Sequence, residues 1–192
     1  MRGAGKITFV LTFFLATGLL GCTSSKKAAR AEGMAELQRI SSAVQDMNII
    51  VSAGVTKDEY SKRLTDVLLK IGDQGGGCQR AIAKLPQGQQ QSTAAEVCQR
   101  VSKAMDAYTY AKRYIGPAPD PFDPGDVIYT LTQEEYALAK EQFPSLEEPP
   151  VSETNQDGYK FYRRSAMVQA LWKVAGQESQ AAQTDVEELN QL

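Results

Sequence analysis

From Met34 the apolar residues of this chain fall three or four positions apart, at Met34, Leu37, Ile40, Val44, Met47 and Val51. An α-helix places such residues on one face, so the spacing predicts a helix from about residue 32 with a buried stripe. The same rhythm returns at Val97, Val101, Ala104, Tyr108, Ala111 and Ile115, widened by Cys98 and Met105, and predicts a second long helix from near Ser92. Between the two, Gly54 interrupts the pattern, and Thr56 with Glu59 reads as a capping box that opens a helix carrying Tyr60, Leu64, Val67, Leu68 and Ile71. The run Gly75-Gly76-Gly77 reads as a flexible break. A short helical segment with Cys78, Ala81, Ile82 and Leu85 follows it, and Pro86 and Gly88 end that segment before a Gln-rich turn at 87–91.

Residues 116–126 contain four prolines, which fix φ, remove donors and push their predecessors into extended backbone, so this stretch reads as a stiff connector. Thr132 and Glu135 form a second capping box before a short helix containing Tyr136, Leu138 and Phe143, which stops at Pro144. A polar loop is expected next, then a last helix from about Gly158 carrying Phe161, Met167, Val168, Leu171, Trp172, Val174 and Ala175. The Gln/Glu/Ser-rich residues 179–192 read as a frayed polar tail with only Val186 and Leu189 to bury. Apart from a short extended piece at Val127–Leu131, no period-two alternation is sustained. The expected fold class is therefore all-α, a small helical bundle with a proline-rich connector.

The N-terminus carries a different signal. Arg2 and Lys6 precede an apolar run from Ile7 to Leu20, shorter than the roughly 20 residues of a membrane-spanning helix, and small residues follow it. Leu19-Leu20-Gly21-Cys22 resembles the lipobox of bacterial lipoproteins. The resemblance implies that residues 1–21 are a cleaved signal peptide and that Cys22 carries a diacylglycerol on its sulfur. Two or more acyl chains hold a protein stably at a membrane, where one holds it only marginally. Thr23 stands where aspartate marks retention in the inner membrane, so in a host with two membranes the resemblance points to the outer membrane, facing the periplasm. The expected organisation is a signal peptide at 1–21, a tether at 22–31 that includes Lys26, Lys27 and Arg30, one helical domain at 32–178 and the tail at 179–192.

Cleavage would remove Arg2 and Lys6 and no acid, taking the formal net charge from −2 to −4, which argues against a nucleic-acid partner. In an exported protein the remaining pair, Cys78 and Cys98, reads as a disulfide that a helical hairpin would bring together. The chain has no histidine, which excludes Ser-His-Asp triads, Cys-His dyads, histidine zinc sites and haem held by a proximal histidine. Glu153-x-Asn155-x-Asp157-Gly158 resembles the first half of an EF-hand calcium loop, but it starts on Glu and places Arg164 where a bidentate glutamate belongs, so a polar loop is the expected reading. Asp120, Asp123 and Asp126, spaced by three, read as turn chemistry within the connector. No cofactor, metal or enzymatic role is expected.

Two aromatic and basic groups remain. Tyr110 and Tyr114 with Arg113, and Tyr162 with Arg163, are expected to face outward as an interaction surface, since tyrosine beside arginine is the composition enriched at protein interfaces. The resulting expectation is a membrane-anchored, non-enzymatic envelope lipoprotein that binds an envelope protein partner or assists its assembly. The alternative is a lipoprotein that binds cell-wall glycan or a small molecule. In export signal, helical domain and cysteine pair the chain is similar in outline to the small helical pilotin lipoproteins of secretion systems, an architectural likeness from which no binding residue is carried over.

Overall fold

The computed structural model describes the backbone of residues 8–71, 76–115 and 130–192, and the side-chain surroundings from Ser24 onward. The proline connector at 116–126 with Asp120, Asp123 and Asp126, the start of the glycine run, and the side chain of Cys22 lie outside the described residues. Within them the chain runs α1 (Thr8–Ala53), α2 (Lys57–Ile71), α3 (Gly76–Lys84), α4 (Gln89–Ala111), β1 (Thr130–Thr132), α5 (Gln133–Gln142), β2 (Val151–Thr154), β3 (Lys160–Arg163) and α6 (Arg164–Gln191). It is a mainly helical bundle with one small sheet.

α1 is the common partner, packing against α2, α3, α4 and α6, and every member of its apolar stripe from Met34 to Val51 is buried. Gly54 closes α1 with an N–H bond to the Val51 carbonyl at 3.2 Å, and Thr56 Oγ1 accepts from Glu59 N–H at 3.3 Å to open α2. α2 buries Tyr60, Leu64 and Val67. Leu68, expected on that face, is 45% exposed, because at about 100° per residue it falls outside the stripe formed by Tyr60, Leu64 and Val67. Tyr60 ties the stripe to α4 by donating from its buried hydroxyl to the Tyr108 carbonyl at 2.7 Å, and it accepts from Trp172 Nε1 on α6 at 3.2 Å. α3 lies across α1 and α4, and Cys78 and Cys98 join α3 to α4 as a disulfide with Cα atoms 5.9 Å apart, across 20 residues of sequence.

Two expectations need correction. The last helix starts at Arg164 rather than near Gly158, because Lys160–Arg163 is the central strand of an antiparallel sheet of order β1-β3-β2. Leu131 pairs with Tyr162, and Val151 pairs with Tyr162 on the other side. The stretch that resembled a calcium loop is the turn of the β2–β3 hairpin. Asn155 Oδ1 accepts from the N–H groups of Asp157 at 3.1 Å and Tyr159 at 2.8 Å, while Gly158 takes φ 83°, a conformation costly to other residues. The Thr132–Glu135 capping box forms with both its bonds and starts α5, as the sequence predicts.

The second correction concerns residues 179–192, which are the last turns of α6 rather than a frayed tail. Ser179, Ala182, Val186 and Leu189 are buried, continuing the stripe of Leu171 and Ala175. α6 packs most extensively on α4. Two hydrogen bonds cross to α1: Ser41 Oγ donates to Gln183 Oε1 at 3.0 Å, and Ser179 Oγ donates to Gln45 Oε1 at 2.9 Å. Arg100 on α4 reaches Asp185 at 2.7 Å and Glu178 at 3.5 Å. At the far end Arg30 joins three helices, donating to Gln90 Oε1 at 3.0 Å and to the Leu189 carbonyl at 3.3 Å. That last bond satisfies a carbonyl in the final turn of α6, where no intrahelical donor remains and positive charge suits the helix dipole.

Candidate functional site in the groove between α1 and α2

The tyrosines expected to form an exposed surface are buried. Tyr110 and Tyr114 are 8% and 9% exposed and Tyr162 is 1% exposed, while Arg113 and Arg163 remain at the surface. Phe143, which caps α5, lies against Tyr110, and Tyr162 sits in the central strand against Tyr136 of α5, partners distant in sequence that the helical periodicity of α4 could not announce. Tyr110 packs edge-on against Phe143 with centroids 5.4 Å apart and tilts against Tyr114 at 5.7 Å, while the Arg113 guanidinium lies 4.5 Å above the Tyr110 ring. Tyr162 lies against Tyr136 and donates to Glu148 Oε1 at 2.7 Å. The two groups are therefore internal packing and not an exposed surface.

Glu148 fastens the loop between α5 and β2. Bonds from Tyr162 and from Lys160 Nζ, the latter at 3.0 Å, hold its carboxyl below the usual carboxylate range. Burial and the bond to Glu148 push the Tyr162 phenol up to about 12. A carboxylate whose pKa is depressed on folding contributes stability above its unfolded pKa, about 4.3, and loses it as pH falls through the folded value. Glu148→Gln is thus expected to lower the thermal midpoint at pH 7, and its gap from the parent is expected to narrow as the pH falls below the usual carboxylate range. A gap that persists unchanged in acid would assign the effect to packing.

The described surface opens elsewhere. Asp46, Ile49 and Ile50 of α1 and Arg63, Asp66, Val67, Leu69 and Lys70 of α2 line an open groove of about 600 Å³. Val67 is part of the floor. On the two flanks Ile49 is 61% and Leu69 70% exposed, high values for side chains of this size. Helical geometry explains Leu69: two residues from buried Val67, it turns away from the core and stands at the outer rim of the groove. Lys70 Nζ bridges the groove to Asp46 at 3.9 Å, with both side chains about 60% exposed, so the pair adds little stability and can exchange partners. The lining holds two acids and two bases and contains no hydroxyl, thiol or imidazole. Its chemistry is contact and charge pairing.

Neither exposed position was singled out by sequence reading. Ile49 sits within an apolar run, Ile49-Ile50-Val51, and Leu69 ends the run Val67-Leu68-Leu69; in each the number of apolar residues exceeds what one buried stripe can absorb, and that surplus is the available signal. Among the described residues there is no group of three or more Cys, Asp or Glu placed to hold a metal ion, and no helix is long and apolar enough to cross a membrane. Compared with protein-family models, curated proteins and solved structures, the chain shows no match.

Proposed function

We propose that the protein is a lipid-anchored, non-enzymatic interaction or assembly factor of the cell envelope, and that the α1–α2 groove receives an amphipathic helix of an envelope protein. The observation that carries the reading is the exposure of Ile49 and Leu69 on the two flanks of an open groove. Apolar side chains held in water beside a cleft between two helices match the helix-in-groove mode of recognition, in which side chains three and four residues apart enter the cleft. The balance of Asp46 and Asp66 with Arg63 and Lys70 suits a partner helix with charges of both signs on its flanks. The anchor at Cys22, implied by the lipobox resemblance, supports the same reading, because tethering both proteins to one surface raises their effective concentration.

The test places a photo-crosslinking amino acid at Leu69 of the full-length protein in its native envelope, with Cys22→Ser as the untethered control. One reproducible adduct with an envelope protein, weakened in the control, is expected. With the crosslinker moved to Arg63, which also lines the groove, Ile49→Asp combined with Leu69→Asp should abolish protein capture, each substitution changing stability by no more than about 0.5 kcal/mol, the usual range for surface positions. Capture of glycan fragments, or of nothing, at Leu69 would sink this reading and favour a ligand-binding lipoprotein.

A further inference from the structure

We infer that the Cys78–Cys98 disulfide is a redox latch on the groove: a dithiol donor that reduces it loosens the C-terminal turn of α2, and with it the flank that carries Leu69. The inference rests on the groove being the site of function. Its carrier is a continuous set of contacts from the sulfurs to that flank.

Cys78 stands in the first turn of α3 and both cysteines are half-buried, so an attacking thiolate has access to the bond. Immediately before Cys78, Gly77 lies so close to the end of α2 that a Cβ there would come within 2.9 Å of the Ile71 carbonyl oxygen and 3.1 Å of Glu36 Oε1. The start of α3 is therefore pressed against the last turn of α2, and only the missing side chain permits it. Glu36 is the junction. It pairs with Arg80 on α3 at 3.7 Å and accepts from Arg39 at 2.8 Å and 3.1 Å. Arg39 in turn donates to the main-chain carbonyl of Lys70, the residue that follows Leu69 and bridges the groove to Asp46. Carbonyls of a last helical turn lack intrahelical donors, so Arg39 and the packing of Gly77 hold a turn that would otherwise fray. The disulfide ties α3 to α4, and the end of α2 is held jointly by Gly77 of α3 and by Arg39 of α1, whose partner Glu36 also pairs with Arg80 of α3.

The exchange balances. A thiolate of the donor attacks one sulfur of the pair, forming a mixed disulfide and releasing the other cysteine as a thiolate; the donor's second thiolate then attacks the donor sulfur of that bond and releases the remaining cysteine thiolate. Two electrons and two protons pass to the chain, leaving Cys78 and Cys98 as thiols and the donor as a disulfide.

The experiment is ¹⁵N relaxation on the full-length protein in detergent micelles, before and after dithiothreitol, with thiol counting to confirm reduction. The order parameters of the Leu69, Lys70 and Ile71 amides are expected to fall from about 0.85, the value of rigid backbone, to below about 0.6, while residues 171–186 of α6 stay rigid. Cys78→Ser combined with Cys98→Ser should reproduce the reduced pattern without reductant. Unchanged order at 69–71 after full reduction overturns the latch. So does loss of order that spreads equally through α6, since the disulfide would then hold the bundle as a whole. Neither readout needs a partner, so an absent crosslink at Leu69 and an absent redox response separate the failure of the functional reading from the failure of the latch.

Discussion

A chain truncated after Glu178 is expected to lose most of its cooperative unfolding transition, with little near-UV circular dichroism left at 25 °C. The truncation removes Val186 and Leu189, both fully buried, together with buried Ser179 and Ala182. At about 1.5–3 kcal/mol for each large apolar side chain withdrawn from the core, Val186 and Leu189 alone account for roughly 3–6 kcal/mol. Domains of this kind hold only about 5–15 kcal/mol in total. The cut also strips Arg100 of Asp185 and leaves Ser41 without Gln183, so polar groups settled by α6 lose their partners. A chemical denaturation series is the check. An unchanged midpoint would mean that the last turns of α6 are held only weakly.

The second large effect is expected from Cys78→Ser combined with Cys98→Ser. A bond closing a loop of 20 residues restricts the unfolded chain by about 3 kcal/mol. For a domain of this size each kcal/mol moves the thermal midpoint by about 2–4 °C, so a fall of roughly 6–12 °C should appear in a melting curve under oxidising conditions. Dithiothreitol should bring the parent protein to the same midpoint and leave the double variant where it was. A reductant effect of equal size in both would place its cause outside the disulfide. Stability and the groove are separate readouts of this bond: the melting curve measures what the loop constraint contributes, and the relaxation experiment measures where the native state loosens.

Particular residues show where sequence reasoning reached and where it stopped. The stripes of α1 and α4, the turns at Gly54 and Pro86, the capping boxes at Thr56 and Thr132 and the pairing of Cys78 with Cys98 were all legible. Each depends on residues close in sequence, on one helical face, or on two cysteines in a single hairpin. The β2–β3 hairpin is legible only at its turn. Asp157-Gly158 between Val151–Thr154 and Lys160–Arg163 is a turn signal, but strands of four residues are too short for alternation to stand out. The end of α6 was misjudged for a different reason: its buried positions, Ser179, Ala182, Val186 and Leu189, keep helical spacing but use small residues, and the surrounding Gln and Glu dominate the composition.

What the sequence determined by itself was local: which segments are helical, where they begin and end, and which faces turn inward, because those depend on backbone preferences and on the period of apolar residues. The tertiary structure decided which of two apolar or aromatic surfaces stayed in water. Tyr110 went under Phe143 at the end of α5 with Tyr114 beside it, and Tyr162 packed from the central strand against Tyr136 of α5, while Ile49 and Leu69 remained beside a groove. Periodicity gives the direction in which a side chain points from its own helix. It cannot say whether another element, distant in sequence, arrives to cover it.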